Sequence, residues 1–430
     1  MTLESRPIGI IGGGIAGLSL AHFIGEDCEI LEKAPELGGL CRSFHKDGLT
    51  YDLGGHVVFS SDKEILSLEL DLLRGNVDAH VRKNAVWYKQ RLVKYPFEND
   101  LAALEKDDLF DCLWSFLNNP QRPQRNFEDW MFNQFGRGIT ERYLIPYNRK
   151  IWKMAPRSMA CDWVERIPKP PPEDVLKSAI GIPTEGNLQQ LNFFYPSSGG
   201  FQALPLAIEN SLRGKVTRGF NVQKVRRRGD KWLVSDHSSS HEYDQVISTI
   251  PLPYLISVLQ DVPEEVATAA RALKHNSLLV VMLGVRNPQN REQFGIYFPQ
   301  EHLVFHRVCF YNFFGQRNEA GASPVVAEIT ANEGDSIWVK SDAEIIDSVI
   351  QGLKQEGFIA SRSDVLTTDI RRVKHAYVVY DLARSQNLRI VNDYLDSIGL
   401  HRCGRFAEFR YINSDAVMRS AKNLAGKLGY

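Results

Sequence analysis

Hydrophobic positions fall into short continuous runs near both ends of the chain and into longer amphipathic stretches between them. Ile8-Gly9-Ile10-Ile11 reads as a buried strand, residues 18–24 (LSLAHFI) as a helix, and Cys28-Glu29-Ile30-Leu31-Glu32 as a second strand. That succession predicts a strand–helix–strand unit on a parallel sheet. Residues 61–190 carry helical pattern and many aromatics, among them Trp87, Trp114, Trp130, Tyr143, Trp152 and Trp163. An aromatic stripe of this kind is core before it is anything else. Pro168, Pro170, Pro171 and Pro172 mark a linker at its end. A helix follows at 204–212, then short strands at 216–225 and 232–235. Residues 244–251 (DQVISTIP) read as a strand returning to the first sheet. Residues 278–285, 303–312 and 324–330 are strand-like at regular spacing and predict an antiparallel sheet. Gly404-Arg405-Phe406 opens a turn that leads into a last helix. The basic run 224–231 (KVRRRGDK) reads as a solvated hairpin.

Composition narrows the function. Of 430 residues, 51 are Lys or Arg and 52 are Asp or Glu, a net charge of −1. That balance argues against nucleic acid as the main partner, because neutralising phosphates leaves a basic excess. Apolar and aromatic residues run throughout, which excludes general disorder. No apolar stretch reaches the roughly 18 residues of a membrane span. The opening MTLESRP holds no apolar signal core. The six cysteines are scattered without metal spacing. A cytoplasmic protein with reduced thiols and no structural metal is the expectation.

The first strand runs into Gly12-Gly13-Gly14-Ile15-Ala16-Gly17, a G-x-G-x-x-G between strand and helix. Gly12 allows the tight turn, Gly14 lets backbone approach a pyrophosphate, and Gly17 lets helix and strand pack closely. The helix start offers free N–H groups to phosphate. Glu32, 20 residues after Gly12, stands where a carboxylate accepts from a ribose diol. Lys33 to Ser43 follows, with Gly38-Gly39-Leu40 for close backbone approach and Arg42 as a cation near the pyrophosphate. A further glycine pair, Gly54-Gly55, precedes His56 and Val57 and suits a chain passing a flat ring. The 33–43 stretch resembles the second flavin fingerprint of the amine-oxidase-like flavoproteins, and NAD-dependent proteins of this fold do not usually carry these two elements. FAD is therefore the expected cofactor.

Several further segments, taken in order, resemble UDP-galactopyranose mutases, particularly the eukaryotic-type branch. They are GGHVVF at 54–59, YPFEN at 95–99, IPYNRKIW at 145–152, WVER at 163–166 and NFFYPSSGG at 192–200. Further on come IYFPQEHLVFHR at 296–307, HAYVVYD at 375–381 and GRFAEFRYINSD at 404–415. The resemblance covers nearly the whole chain. It implies that Arg307 neutralises a diphosphate, that Arg166 is a second substrate-binding arginine, and that His56 lies on the loop passing the flavin. Arginine suits such a task because its planar fork bonds phosphate oxygens bidentately. It implies that Tyr377 and Tyr411 donate hydroxyl bonds to the diphosphate. Tyr297, Asn148, Trp152 and Asn192 then line the sugar and nucleotide pocket, and Tyr95 and Phe97 hold the base. The flavin set implied is Gly12, Gly14, Ile15, Ala16, Glu32, Lys33, Gly39, Leu40, Arg42, Gly55, His56, Val57, Val222, Gly404, Arg405, Asn413 and Ser414.

The chemistry implied is a pyranose–furanose isomerisation of a nucleoside-diphosphate hexose without net redox. Reduced flavin N5 displaces the diphosphate from the anomeric carbon, the ring opens on the flavin-bound sugar, and the 4-hydroxyl recloses it. UDP-galactose is the first-choice substrate. Glu98 departs from the pattern, because those mutases typically carry glutamine there. An ionised carboxylate only accepts, which suits the N1–H and 2-amino edge of guanine and makes a GDP-hexose the second choice. The glycine-rich stretch around Ser198 and Phe201 is also shorter. NAD(P)H is one candidate reductant, although no second nucleotide fingerprint names it. Two other functions stay open: an FAD-dependent amine- or protoporphyrinogen-oxidase-like oxidoreductase, and a redox-silent nucleotide-sugar binder. The expected fold is α/β: a Rossmann-type FAD domain from 1–80, 195–255 and 390–430, a helical insert over 81–194 and an antiparallel sheet domain over 256–389. Residues 168–186 are candidates for a closing lid. Oligomeric state is open.

Overall fold

A computed structural model describes residues 7–167, 169–185, 188, 191–289 and 292–430, with the side chain of Arg166 outside the description. The two ends of the 168–186 stretch also fall outside it. Strand β1 (Ile8–Ile11), helix α1 (Ile15–Ile24) and strand β2 (Cys28–Glu32) form the strand–helix–strand unit. They lie in a five-stranded parallel sheet whose order is His401–Arg402, Gln245–Ser248, β1, β2, Lys215–Arg218. β1 is wholly buried because α1 packs on the Ile10 face and Tyr243 of the strand Ser240–Tyr243 packs on the Gly9 face, so its sequence is a continuous apolar run. The last helix, Ser414–Lys427, packs on α1. The run at 224–231 forms the hairpin Lys224–Arg228 with Lys231–Ser235, extended by Ser240–Tyr243.

The second sheet has seven strands in the order Val365–Val378, His275–Arg286, Ala322–Ala331, Arg307–Phe310, Gly295–Tyr297, Ala85–Tyr88 and Arg91–Lys94. All neighbours are antiparallel except the parallel pair Gly295–Tyr297 with Ala85–Tyr88. The hairpin at 85–94, which the sequence places in the helical insert, thus closes this sheet's edge. The insert proper contributes the helices Lys106–Leu117, Phe127–Ile139, Ile145–Trp152 and Pro172–Ala179.

Both faces of the large sheet are covered, and side chains alternate between two cores. In His275–Arg286, Leu278, Val280 and Met282 join the core shared with the parallel sheet and the insert. Leu279, Val281, Leu283 and Val285 join a second core under the helix Asp342–Gln355. The same alternation sends Val308 and Phe310 to the second core and leaves Arg307 and Cys309 facing the first. In Ala322–Ala331, Val325, Ala327 and Ile329 face the second core, so Glu328 faces the first. Residues of the parallel sheet, the insert and this face of the large sheet together line one cavity. Among the described residues no helix is long and apolar enough to cross a membrane. The six cysteines are all free thiols.

Candidate functional site

The cavity measures about 1200 Å³ and is lined from the first glycine turn, along one face of the large sheet, to Tyr95 and Glu98. Its near end is a backbone cradle. At Gly17 a Cβ atom would lie 1.9 Å from the Gly12 carbonyl oxygen, so only glycine lets α1 start this close to the turn. Gly39, at φ +56°, brings its backbone against Gly14, where a Cβ would meet the Gly14 Cα at 3.1 Å. Glu32 accepts from the Gly13 N–H at 2.7 Å and the Ala34 N–H at 2.8 Å, which fixes its carboxylate at the cavity wall. Arg42 donates to the Gly39 carbonyl at 3.2 Å and lies over Phe44. The start of α1 and the start of the helix Ser414–Lys427 both open on the cavity, through Gly14, Ile15, Ala16, Asn413 and Ser414. Two helix N-termini turned on one space favour anionic groups there. Lys33, Leu40, Gly55, Val57, Val222 and Gly404 complete this end.

His56 stacks on Phe201 at 5.0 Å. Its Nδ1 is buried and has no hydrogen-bond partner among the described residues. Burial first, then the charges of Arg405 and Arg307, pull the imidazole down to about 3. A neutral ring with an unused buried nitrogen, set beside the glycine cradle, fits a bound flavin. Arg405 is held over Tyr411 at 5.0 Å, and its Nε donates to the Ile412 carbonyl at 2.8 Å.

The middle of the cavity is a row across three strands, in which Tyr297 pairs with Arg307 and Arg307 with Glu328. Arg307 donates from Nε and Nη2 to the Glu328 carboxylate at 2.8 Å each. Burial alone would lower the guanidinium; the Glu328 charge outweighs it and holds Arg307 well above its ordinary value. Nη1 makes no hydrogen bond among the described residues and remains for a ligand. The Gly55 N–H and the Tyr377 hydroxyl also donate to Glu328, at 3.1 and 3.3 Å. Trp152, Tyr377 and Tyr411 stand edge to face, 5.5 to 6.1 Å apart. Trp152 donates to Asn148 Oδ1 at 2.9 Å, and Asn148 donates to the Leu144 carbonyl at 2.7 Å, so Asn148 sets the indole plane.

The far end is aromatic. Tyr95 meets Tyr297 at 4.9 Å, and Tyr297 meets Tyr147 at 5.5 Å. Glu98 closes this end. Two residues expected here stand elsewhere. Phe97 is fully buried against Tyr143 and Tyr88, because the tight turn Phe97–Asn99 sends Phe97 into the core and Glu98 to the cavity. Asn192 is exposed at the start of the strand Asn192–Tyr195; alternation buries Phe193 instead. Arg166 ends a short turn, Val164–Arg166, and its side chain lies outside the described residues.

Sequence reasoning passed over Glu328 and Asp52. Glu328 is the one acid in the fully buried strand Ala322–Ala331, a signal visible in ASPVVAEITA. Asp52 is completely buried and accepts from Ser43, Tyr195, Tyr311 and the Phe201 N–H. It ties the glycine pair before His56 to the segment carrying Phe201, although burial raises its carboxyl.

A family model for flavin-containing amine oxidoreductases matches residues 15–387. The chain belongs to this family, and FAD is its cofactor. Among curated relatives, coproporphyrinogen III oxidase of Mycobacterium tuberculosis is 25% identical over 316 residues, covering 66% of this chain and 67% of the relative. Among solved structures, the chain is similar to a crystal structure of reduced UDP-galactopyranose mutase, with a TM-score of 0.90 and 24% identity. That match covers 99% of this chain and 95% of the other. A putative protoporphyrinogen oxidase from Exiguobacterium sp. 255-15 has a TM-score of 0.75 at 17% identity, covering 99% of each chain. At these identities the likenesses establish the shared fold.

Proposed function

We propose that the protein is an FAD-dependent mutase that interconverts the pyranose and furanose forms of a nucleoside-diphosphate hexose. The Arg307–Glu328 pair carries this reading: a cation fixed midway between the glycine cradle and an aromatic far end. A diphosphate placed there would have its sugar toward the flavin and its base toward Tyr95 and Glu98. Reduced FAD, when bound, supplies the nucleophile for the anomeric carbon. Arg307 then bonds the departing diphosphate through Nη1, Tyr411 stands beside it to add a hydroxyl donor, and Tyr377 adds another by turning its single O–H from Glu328 to the phosphate. Holding the leaving group in place turns its return into an intramolecular event. Neutral His56 keeps a further positive charge away from the flavin. Trp152 walls the sugar side and, with its neighbours, limits water at the reacting carbon. Arg166 is proposed as a second diphosphate ligand.

The test is an anaerobic assay with oxidised and chemically reduced protein, on UDP-galactofuranose and on GDP-hexoses in parallel, with products separated by chromatography. Isomerisation confined to the reduced protein supports the reading. Its absence with every sugar, together with oxygen consumption on an amine or porphyrinogen, overturns it. That outcome would favour the second reading, an FAD-dependent oxidoreductase, which the sequence likeness to coproporphyrinogen III oxidase supports.

A further inference from the structure

The far end of the cavity holds a carboxyl that the described protein leaves incomplete. Glu98 lines the cavity yet is only 2% exposed. Its only hydrogen bond among the described residues comes from its own backbone N–H. Three polar side chains of the neighbouring segments are engaged elsewhere. Ser178 Oγ donates to the Glu98 main-chain carbonyl at 2.7 Å, and Asn99 Nδ2 to the Glu185 carbonyl at 3.2 Å. Lys94 is paired with Glu185 at 2.7 Å. Tyr95 and Tyr143 are the titratable groups that feel the Glu98 charge, and burial raises both phenols. A buried carboxyl held by a single hydrogen bond leaves acceptor sites that a ligand can complete.

Resting on the nucleotide-sugar reading above, we propose that Glu98 reads the edge of the base and selects guanine over uracil. The ionised carboxylate has two acceptor oxygens and no donor. Guanine presents N1–H and the 2-amino group side by side, and these two donors match both oxygens at once. Uracil presents a single N3–H between two carbonyls, so one bond forms and a carbonyl lone pair faces the second oxygen. Adenine and cytosine offer one amino group beside a ring acceptor. Protonation changes the match: a neutral carboxyl both donates and accepts, which suits uracil. Burial pushes the Glu98 carboxyl up to about 7, so both forms are accessible near neutrality. Guanine binding draws out the ionised form and uracil binding the protonated one.

The experiment is calorimetric titration of flavin-loaded protein with GDP, UDP and ADP, at about pH 6 and about pH 8, on the native chain and on Glu98→Gln. At the higher pH the native protein is expected to bind GDP about tenfold or more tighter than UDP, the scale of one good bidentate base contact. The ratio should shrink at the lower pH. Glu98→Gln presents an amide N–H beside a carbonyl at every pH, so it should lose GDP affinity, gain UDP affinity and lose the pH dependence. Tighter UDP than GDP binding at the higher pH, or an unchanged ratio in a variant with native flavin content, overturns the proposal. Should no nucleoside diphosphate bind either protein, the nucleotide-sugar reading itself falls. The pH series on the native chain keeps the test decisive if the variant does not fold.

Discussion

Arg307 and Glu328 face each other directly across two antiparallel strands, with Nε and Nη2 each 2.8 Å from a carboxylate oxygen that no solvent reaches. The pair therefore does two jobs that a single substitution confuses. Removing one partner leaves a buried charge uncompensated and costs about 3–5 kcal/mol. Arg307→Met and Glu328→Gln should each lower the thermal unfolding temperature. The double variant Arg307→Met/Glu328→Met should recover most of that loss, because apolar side chains of similar size replace buried ion pairs at little cost. It should remain inactive. Recovery of activity along with stability would remove Arg307 from the chemistry.

The glycine cradle separates folding from cofactor binding. A Cβ at Gly17 collides with the Gly12 carbonyl at 1.9 Å, whereas one at Gly14 has no protein neighbour nearer than 3.9 Å. Gly17→Ala should reduce soluble, folded protein. Gly14→Ala should fold with native circular dichroism and lack the visible flavin absorbance. Equal flavin content in Gly14→Ala and the native protein would show that the backbone there does not approach the cofactor.

His56 makes stability depend on acid. Burial and two arginines hold its folded pKa near about 3, against the ordinary 6.5. Between those values the unfolded chain binds the extra proton, so stability falls as pH falls through this window. His56→Gln removes the effect. The native protein should lose stability relative to the variant by up to about 1.4 kcal/mol per pH unit below the ordinary histidine range. Parallel stability curves for the two proteins would contradict the neutral buried ring.

Glu69 has the opposite sign. It is completely buried on the helix Lys63–Leu73, both its oxygens lack partners among the described residues, and burial pushes it to about 8. The folded protein keeps the proton while the unfolded chain releases it above 4.5, so stability falls as pH rises between these values. Glu69→Leu should stabilise the protein by about 1–3 kcal/mol at neutral pH, the cost of an unsatisfied buried polar group. Denaturant titration that finds the variant less stable would mean that the carboxyl has a partner after all.

How much of this was legible in the sequence follows from how local each feature is. The strand, glycine turn and helix from Ile8 to Ile24 are contiguous, so their pattern states their geometry. The hairpin at 85–94 is not separable from the helical insert by pattern, because each strand has only four residues, too few for a period to stand out. Tyr95, Phe97 and Glu98 share one motif, yet a tight turn divides them between cavity and core. The partnership of Arg307 with Glu328 depends on strand register, which neither residue's neighbours declare. Asp52 gathers donors from its strand partner Ser43, from the segment 195–201 and from Tyr311, and the last two lie more than 140 residues away in the chain.

The parallel sheet also orders events in time. β1 sits between strands drawn from residues 245–248 and 28–32, and the outermost strand is 401–402. The loop that follows, from Gly404 to Ser414, supplies the remaining wall beside α1. A ribosome delivers that wall long after the glycine turn has emerged. A nascent chain that stalls before residue 401 has the glycine turn and most of its surrounding walls but lacks this last one, so the enclosure is completed only once residues 401–414 are made.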